Sequence, residues 1–334
     1  KNKFFKYSSE IYNSIHKLKA KIKHPKDLIL NKNDINLTEK KLTLFHAKAV
    51  HEISKNLKID LVGFHGQTMY HNASKKISKQ IGDGKLLSQL TKKNVINNFR
   101  INDIINGGEG APLTPIFHKI IIKKNKIKIP CCILNIGGIS NITIFDDEKK
   151  DGFFSKDVGP GNCLIDEWVR NNSNKQIDYD GNLAKLGKKN DIILEQIQDF
   201  IENKTLKKRS LDISDFDISF ARGLSLEDGA ATLTHLTGSI IGSSILSILK
   251  KQKKYTILLS GGGRKNQVLI EEIKKITSNK FKFENIDEYG IDGDFVESQA
   301  FAYLAIRSFL KLPITFPSTT GCCKPSTGGD LILF

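Results

Sequence analysis

Cysteine, methionine and long apolar runs are scarce in this chain of 334 residues, and each scarcity excludes a class of protein. The five cysteines form two adjacent pairs and the single Cys163, a spacing that does not suit zinc. Without a secretory signal they fit a reducing cytoplasm, and we interpret all five as structural. No run approaches the roughly 20 apolar residues that cross a bilayer, which predicts a soluble protein without a membrane partner.

Acidic residues are also too few to balance the basic ones, 36 against 52, which leaves a net charge of +16. Such an excess suits nucleic acid, an anionic membrane surface or an anionic substrate. The lysines, however, are scattered through stretches such as residues 16–34, without the interleaved aromatic residues of a single-strand binder. We therefore predict a solvated basic face and no nucleic-acid partner.

The sequence does not begin with methionine. Residue 1 is Lys, and the only methionine is Met69. We therefore expect that the natural start of the chain is not present here.

The length predicts two domains, because a single hydrophobic core seldom grows this large. Apolar spacing predicts helices over residues 7–57, with Leu42, Phe45, Ala49, Ile53 and Leu57 on one buried stripe. A short strand follows at residues 59–64. A basic, polar stretch then precedes the apolar run CCILNI, and we place a domain boundary near residue 128.

The second half alternates strands with helices, which predicts an α/β architecture. LNIGGISNITIF predicts a hairpin, and GFFSKDVGPGNCLIDEWV predicts a strand, a turn at Asp157 and a helix with Asn162 as its N-cap. A long helix is expected on the spacing Leu233, Leu236, Ile240 and Ser244. The strand YTILLS and the helix NQVLIEEIKKI come after it.

Three glycine-containing turns follow predicted strands, at Gly137-Gly138, Gly159-Pro160-Gly161 and Gly261–Gly263. Without a Cβ, such turns let main-chain N–H groups approach an anion, and phosphate is the natural guest. The alternative is that each is only a steric turn. None fits the dinucleotide GxGxxG pattern or the Walker A pattern, which disfavours nicotinamide chemistry and the usual P-loop.

Asp157 is the carboxylate for which we predict a chemical role. At a strand end beside an anion-binding turn it can accept a proton or hold Mg²⁺. The alternative is an Asx-turn acceptor that only stabilises the loop.

A second polar cluster lies in the first half, in HGQTMYHN and FRINDIINGGEGAPLTP. Its members are of the kind that bind sugar hydroxyls and a carboxylate: Gln67, Thr68, Arg100, Asp103 and Glu109. Arg100 and Asp103 could equally form a structural ion pair. His65 and His71 have no third ligand at usable spacing, so we predict hydrogen-bonded histidines and no protein metal site.

Six segments together carry a family resemblance: GFHGQTMYHN, FRINDIINGGEGAPLTP, LNIGGISNIT, DVGPGNCLIDEW, LLSGGGRKN and GDFVESQAFAYLA. In this order they resemble the 1,6-anhydro-N-acetylmuramic acid kinase family of the actin, hexokinase and heat-shock-chaperone ATPase superfamily. The resemblance runs from about residue 60 to the end and is weakest at residues 170–225.

The resemblance implies a two-lobed, actin-like (ribonuclease H-like) α/β fold with a central cleft. Domain I would comprise residues 1–128 plus 298–334 on the sugar side, without its N-terminal strands, and domain II residues 129–297 on the ATP side. Asp157 matches the catalytic base, and Glu297 joins the sugar-side candidates. The nucleotide-binding candidates are Asn135, Gly137, Gly138, Asn141, Gly159, Gly161, Asn162, Gly261, Gly262, Gly263 and Asn266.

The implied reaction opens the internal 1,6-anhydro bridge of the amino sugar with water and transfers the γ-phosphoryl group of Mg²⁺-bound ATP to the freed 6-oxygen. The product would be N-acetylmuramic acid 6-phosphate, in cytoplasmic recycling of the cell wall. A homodimer is expected by family analogy.

One departure from the family is expected to matter. The family opens with a strand and a Gly-Thr-Ser-Leu-Asp-Gly type loop, the first phosphate loop, and this sequence begins in the helical region that should follow it. The chain is then either a fragment or a degenerate homologue. The missing loop predicts weak phosphate binding and little turnover, and the alternative function is a non-catalytic nucleotide or muropeptide binder.

Overall fold

The computed structural model describes residues 2–147, 152–207, 210–250 and 252–334. The chain divides into two compact units, unit 1 (Lys1–Phe117 and Glu297–Phe334) and unit 2 (His118–Val296). The first division lies inside a helix rather than near residue 128, and the second places Glu297 in unit 1.

Helices and strands are named in chain order. The helices are α1 (Ser9–Lys21), α2 (Pro25–Leu30), α3 (Lys32–Ser54), α4 (Gly84–Thr91), α5 (Ile101–Ile105), α6 (Pro115–Lys124), α7 (Cys163–Asn172), α8 (Asn182–Leu186), α9 (Asp191–Lys207), α10 (Leu226–Ile248), α11 (Gln267–Ile276) and α12 (Val296–Phe309). The strands are β1 (Leu61–Gly63), β2 (Gln67–Asn72), β3 (Ile77–Ile81), β4 (Asn94–Asn97), β5 (Cys131–Ile136), β6 (Ile139–Phe145), β7 (Phe153–Pro160), β8 (Thr256–Ser260), β9 (Lys282–Asn285) and β10 (Asp330–Ile332).

Unit 1 begins with the predicted helices. Leu42 is fully buried, but Leu57 lies beyond the end of α3 and is exposed, so the predicted stripe ends before it. The small sheet of unit 1 has the order β1-β4-β10, with β1 parallel and β10 antiparallel to β4. A separate hairpin, β2–β3, follows β1 in the chain.

Unit 2 is built on a five-stranded sheet with the order β7-β6-β5-β8-β9. Strand β6 runs antiparallel to both of its neighbours, β5 and β7, and β8 and β9 continue parallel to β5. In order of appearance the strands therefore lie 3-2-1-4-5 with the second one reversed, the ribonuclease H-like arrangement. The predicted α/β class and the β5–β6 hairpin are confirmed.

Helix α10 lies between two hydrophobic clusters formed by described residues of unit 2. Ile241 and Ile245 pack with the sheet and α11, while Leu233, Leu236 and Ile240 pack with α7, α8 and α9. Among the described residues, α10 is the one helix long and apolar enough to cross a membrane, which corrects the statement that no such run exists. Because 72% of that stretch is buried inside the fold, core packing accounts for its apolar character.

Candidate functional site

A row of four polar residues crosses the sheet of unit 2. Asp157 on β7 pairs with Asn141 on β6, Asn141 pairs with Asn135 on β5, and Asn135 is in register with Ser260 on β8. Residues paired in register point to the same face of a sheet. The neighbouring positions on these strands supply the apolar core on the other face. Strand register thus collects one carboxylate, two amides and a hydroxyl near one end of the sheet.

Asp157 lies within β7, not at the turn where we predicted it. The strand continues to Pro160, which is possible because β7 is an edge strand of the described sheet and a proline can lie on an edge. Asp157 is only 5% exposed, and its Oδ2 accepts a hydrogen bond from the main-chain N–H of Leu211 at 2.7 Å. The carboxylate is therefore buried and oriented.

Two atoms of the polar row are buried without a hydrogen-bond partner among the described residues, Asn141 Oδ1 and Ser260 Oγ. A buried polar atom left in this state costs about 1–3 kcal/mol. Such atoms are rare in native proteins and often accompany a functional site. The row therefore carries polar groups that the packing of unit 2 does not require.

The first two glycine turns pack directly on each other. Gly161 donates its N–H to the carbonyl of Gly138 at 2.9 Å, and Asn162 donates to that of Gly137 at 2.7 Å. A methyl group on Gly161 would overlap the Gly137 carbonyl oxygen. Close main-chain contact therefore explains the glycine at position 161.

The third turn packs on the end of β5. Gly261 has φ +79°, and an added Cβ there would lie 2.6 Å from the carbonyl oxygen of Ile136. The amide of Asn135 lies near two turns, with Oδ1 2.8 Å from that Cβ position and Nδ2 3.7 Å from the corresponding position on Gly137. The three turns thus surround the end of β5.

Gly137, Gly138 and Gly262 are glycines that the protein itself does not require. An added Cβ at any of them would meet its nearest described atom only at 3.4–3.8 Å, an ordinary contact distance. None of the three has the positive φ that excludes other residues. Their bare main chain leaves room for something other than protein.

The two asparagines that follow the second and third turns differ. Asn162 occupies the N-cap position of α7, as predicted, but it has helical dihedral angles and its side chain makes no cap bond. Its side-chain amide lies beside Gly262 and Gly263 instead, and its main-chain N–H donates to the carbonyl of Gly137. Asn266 does cap a helix: its Oδ1 accepts from Leu269 N at 3.1 Å at the start of α11.

In unit 1, Arg100 and Asp103 hold a loop. Arg100 donates from Nη1 to the carbonyl of Gly110 at 2.7 Å and from Nε to His65 at 3.1 Å. Asp103, 1% exposed, accepts from Gly110 N and from Thr320 Oγ1, both at 2.7 Å. These contacts join the loop 107–110 to α5 and to the C-terminal segment.

That loop presents Glu109. Its main-chain N–H donates to Thr320 O at 2.9 Å, and its carbonyl oxygen lies 2.9 Å from His71 Nε2. The half-buried side chain makes no hydrogen bond to the described residues. A carboxylate is therefore carried on a main chain that is fixed on both sides.

The remaining candidates of unit 1 lie at its surface or on the hairpin. Gln67 and Thr68 are on β2, and Thr68 Oγ1 accepts from Gln80 at 3.3 Å. Glu297 is exposed in the first turn of α12. Burial, assisted by the charge of Arg100, lowers the pKa of His65 to about 3, so its imidazole is neutral.

Both predicted histidines are hydrogen-bonded, as expected: His65 to Arg100 and His71 to Ser78. Within the described part of the chain, no group of three His, Cys, Asp or Glu side chains could hold a metal ion. The cysteines are free, and burial raises the pKa of Cys131 and Cys163 to about 12. Cys323, by contrast, is exposed.

Known proteins resemble this chain over nearly its whole length. A relative from Pelagibacter ubique named "Anhydro-N-acetylmuramic acid kinase" is 53% identical over 99% of this chain and 90% of its own. Namesakes from Agrobacterium fabrum and Zymomonas mobilis are each 38% identical, over 90% and 87% of this chain and 81% and 79% of theirs.

A solved structure, the activator of 2-hydroxyisocaproyl-CoA dehydratase from Clostridium difficile with bound ADPNP, matches 54% of this chain and 60% of its own with 11% identity and a TM-score of 0.32. A similarity this low decides nothing here. The family model "Anhydro-N-acetylmuramic acid kinase" matches residues 7–333. Together with the 53% identical relative, this match shows that the chain belongs to the anhydro-N-acetylmuramic acid kinase family.

Proposed function

We propose that this protein is a sugar kinase that uses ATP and water to convert 1,6-anhydro-N-acetylmuramic acid into N-acetylmuramic acid 6-phosphate. Water adds to the anomeric carbon, the bond from that carbon to the 6-oxygen breaks, and the 6-oxygen takes the γ-phosphoryl group, leaving ADP. Family membership supports the kinase activity. The observation that carries the assignment to these residues is the buried carboxylate of Asp157 in register with Asn141, next to the glycine turns.

The glycine turns would hold the nucleotide. Gly137, Gly138 and Gly262 expose main chain that no packing or φ requirement explains, and the hydroxyl of Ser260, which can donate to phosphate, is buried beside them without a partner among the described residues. Main-chain N–H groups and amide side chains are the groups that bind phosphate without forming a covalent bond. We assign phosphate contacts to Asn135, Gly137, Gly138 and Asn141, and nucleoside contacts to Gly261–Gly263, with Gly159, Gly161, Asn162 and Asn266 shaping the turns.

Asp157 would act as the general base. The Leu211 N–H fixes its orientation, and its burial excludes bulk water from the carboxylate. It would accept a proton from the attacking water, a contribution of typically 10²–10⁴-fold in rate.

The donor set also fits Mg²⁺. This ion prefers one or two carboxylates together with phosphate oxygens and water, rather than a cage of protein ligands. A single buried carboxylate, Asp157, with an amide oxygen from Asn141 beside it, satisfies that preference. When bound, Mg²⁺ supplies charge neutralisation at the transferred phosphoryl group.

On the sugar side, Glu109 is the best-placed contact. Its carboxylate can accept hydrogen bonds from sugar hydroxyl or amide N–H groups, while Arg100 and Asp103 keep the loop in place. Gln67, Thr68 and Glu297 complete the proposed sugar contacts. For Arg100 we also propose an electrostatic attraction to the lactyl carboxylate of the sugar. Its guanidinium would exert this attraction while it stays hydrogen-bonded to the carbonyl of Gly110.

The test follows ADP and the 6-phosphorylated sugar from ATP, Mg²⁺ and the anhydro sugar. It is run on this chain and on a version with a Gly-Thr-Ser-Leu-Asp-Gly type loop added in front of Lys1, and the comparison measures how much that loop contributes to turnover. Asp157→Asn should lower turnover by about 10²–10⁴-fold. In water labelled with ¹⁸O, the label should enter the anomeric hydroxyl and not the phosphate.

Asp146→Asn is the matched control. Asp146 is a second buried carboxylate, 2% exposed and directly after β6, which accepts from Lys253 and Tyr255 just before the start of β8. Its loss should lower stability but leave kcat unchanged. Nucleotide binding without product in both versions would favour the non-catalytic binder, and equal turnover by Asp157→Asn would remove the base assignment.

We further propose a cytoplasmic location and a homodimer, with no nucleic-acid or membrane partner. Membership in a family of metabolic kinases supports the cytoplasmic location. The homodimer is checked by sedimentation at several concentrations. A DNA-binding measurement that rises steeply as salt is lowered would contradict the exclusion of nucleic acid.

A further inference from the structure

The guanidinium of Arg264 is buried next to the third glycine turn. Its side chain is only 5% exposed, and it donates from Nε and Nη2 to the two carboxylate oxygens of Asp287 at 2.7 and 3.0 Å. Nη1 donates to Asp294 Oδ1 at 2.6 Å. A buried cation is costly unless carboxylates compensate it, and here two do. We call these three residues the Arg264 clamp.

The clamp reaches the main chain of the turn itself. Arg264 Nη1 also donates to the carbonyl of Gly261 at 3.0 Å, and the N–H of Gly261 donates to the carbonyl of Gly293 at 3.4 Å. Gly293 is in turn bonded through its N–H to Asp287 Oδ1 at 3.2 Å. Both main-chain groups of Gly261 are therefore fixed by the clamp or by the segment that the clamp holds.

The segment between the two acids packs directly on the cation. A Cβ on Gly293 would lie 2.6 Å from Arg264 Nε, so main chain covers the guanidinium. The Asp287 carboxyl has a lowered pKa, chiefly because it accepts hydrogen bonds from Arg264. The pair is therefore ionised, and a planar fork that makes paired bonds cannot be replaced by the single ammonium of lysine.

We infer that Arg264 is a positioning residue for the nucleotide, because it fixes Gly261, the first residue of the turn Gly261–Gly263, both directly and through Asp287 and Gly293. This inference rests on the proposed function, in which that turn contacts the nucleoside. Arg264 itself is covered by protein and acts through the turn. Its removal should weaken nucleotide binding selectively.

The test compares Arg264→Lys and Asp294→Asn with the unsubstituted chain, by steady-state kinetics and by calorimetric titration with ADP. KM for ATP and Kd for ADP should rise about tenfold, with kcat within about threefold and KM for the sugar unchanged. Asp294→Asn keeps the test valid if Arg264→Lys does not fold, because the Asp294 side chain is 41% exposed.

The matched control is Lys253→Met, which removes an ion pair of similar depth at the opposite end of β8. Lys253 lies 2.7 Å from Asp146, whose side chain is 3% exposed. This variant should lose stability without a change in Kd for ADP. An unchanged Kd in folded Arg264→Lys and Asp294→Asn, or an equal rise in Lys253→Met, overturns the inference. Absence of ADP binding both by the unsubstituted chain and by the version with the added loop overturns the proposed function itself.

Discussion

Units 1 and 2 use the same kinds of polar residue in different ways. In unit 2, the register of the sheet brings Asp157, Asn141, Asn135 and Ser260 into one row. In unit 1, the buried Asp103 and its neighbour Arg100 hold a loop, and that loop carries the half-buried side chain of Glu109. A candidate residue can thus serve a site by facing the ligand or by fixing the main chain that does.

The largest expected effect is on stability, and it distinguishes a glycine that close packing requires from one whose missing Cβ leaves open space. Gly161→Ala should lower the free energy of unfolding of unit 2 by about 3 kcal/mol, because the methyl group would overlap the Gly137 carbonyl. Gly262→Ala has room for its methyl group, so stability should change by less than about 0.5 kcal/mol. Its KM for ATP should nevertheless rise about tenfold.

Trp168 makes the measurement specific, since it is the only tryptophan and is buried in α7 of unit 2. Urea unfolding followed by its fluorescence reports on that unit. If Gly262→Ala binds ATP normally, the bare turn has no part in holding the nucleotide.

The second prediction tests whether Asp103 acts through the loop. Asp103→Asn replaces an acceptor that faces two donors, Gly110 N and Thr320 Oγ1, and should cost unit 1 about 2–3 kcal/mol. Hydrogen exchange of residues 107–110 should accelerate and KM for the sugar should rise. Unchanged exchange in that loop would show that Asp103 does not hold it, and the Trp168 signal serves as the control.

The third prediction concerns the pH dependence of the free energy of unfolding, because each unit contains a buried histidine. Burial lowers the pKa of His118 in unit 2 to about 3. The folded state then binds fewer protons than the unfolded state, so the stability is present above the unfolded pKa of about 6.5 and is lost as pH falls toward 3. Between pH 7 and pH 5 the loss should be about 2 kcal/mol.

His118→Gln should flatten this pH dependence in the Trp168 unfolding curves, whereas His65→Gln, in unit 1, should not. Taking the difference from the parent chain cancels other groups, such as Asp166, whose pKa burial raises to about 7. Identical slopes for His118→Gln and the parent would contradict the expected neutral state of His118.

The smallest expected effect concerns Glu109. Glu109→Gln keeps the size and main-chain bonds of the residue but removes the charge, so KM for the sugar should rise about fivefold with kcat and KM for ATP unchanged. Lys324→Gln, at an exposed position of the same unit, is the control for charge alone. An unchanged KM in Glu109→Gln would place the sugar elsewhere on unit 1.

Sequence patterns predicted much of unit 2, because its strands are continuous apolar runs and its turns are marked by glycine. They missed the β2–β3 hairpin of unit 1, whose turn has no Asn-Gly or Asp-Gly signal. Lys76 takes the positive φ of that turn, 55°, and lysine gives no hint of it. Likewise, the position of Asp157 inside β7 depends on β7 being an edge strand, which only the assembled sheet reveals.

The roles of polar residues were harder to predict than the elements that carry them. Asn162 has the residue type and the position of an N-cap, yet its side chain makes no cap bond and lies beside the third glycine turn. Arg100 and Asp103 could be ligand contacts or structural groups until the path of loop 107–110 is known. The spacing of residues along the sequence does not predict the path of that loop.

The short β5–β6 hairpin has a consequence for the insertions and deletions that the gene can accept. Because successive side chains on a strand alternate between faces, a slip of one position would exchange Asn141 for Ile142 opposite Asn135. A single deleted codon at Gly137-Gly138 would therefore place the aliphatic side chain of Ile142 beside the carboxylate and the amide of Asn141 in the core. The length of this one turn sets the strand register that keeps the polar row on one face of the sheet and the apolar core on the other.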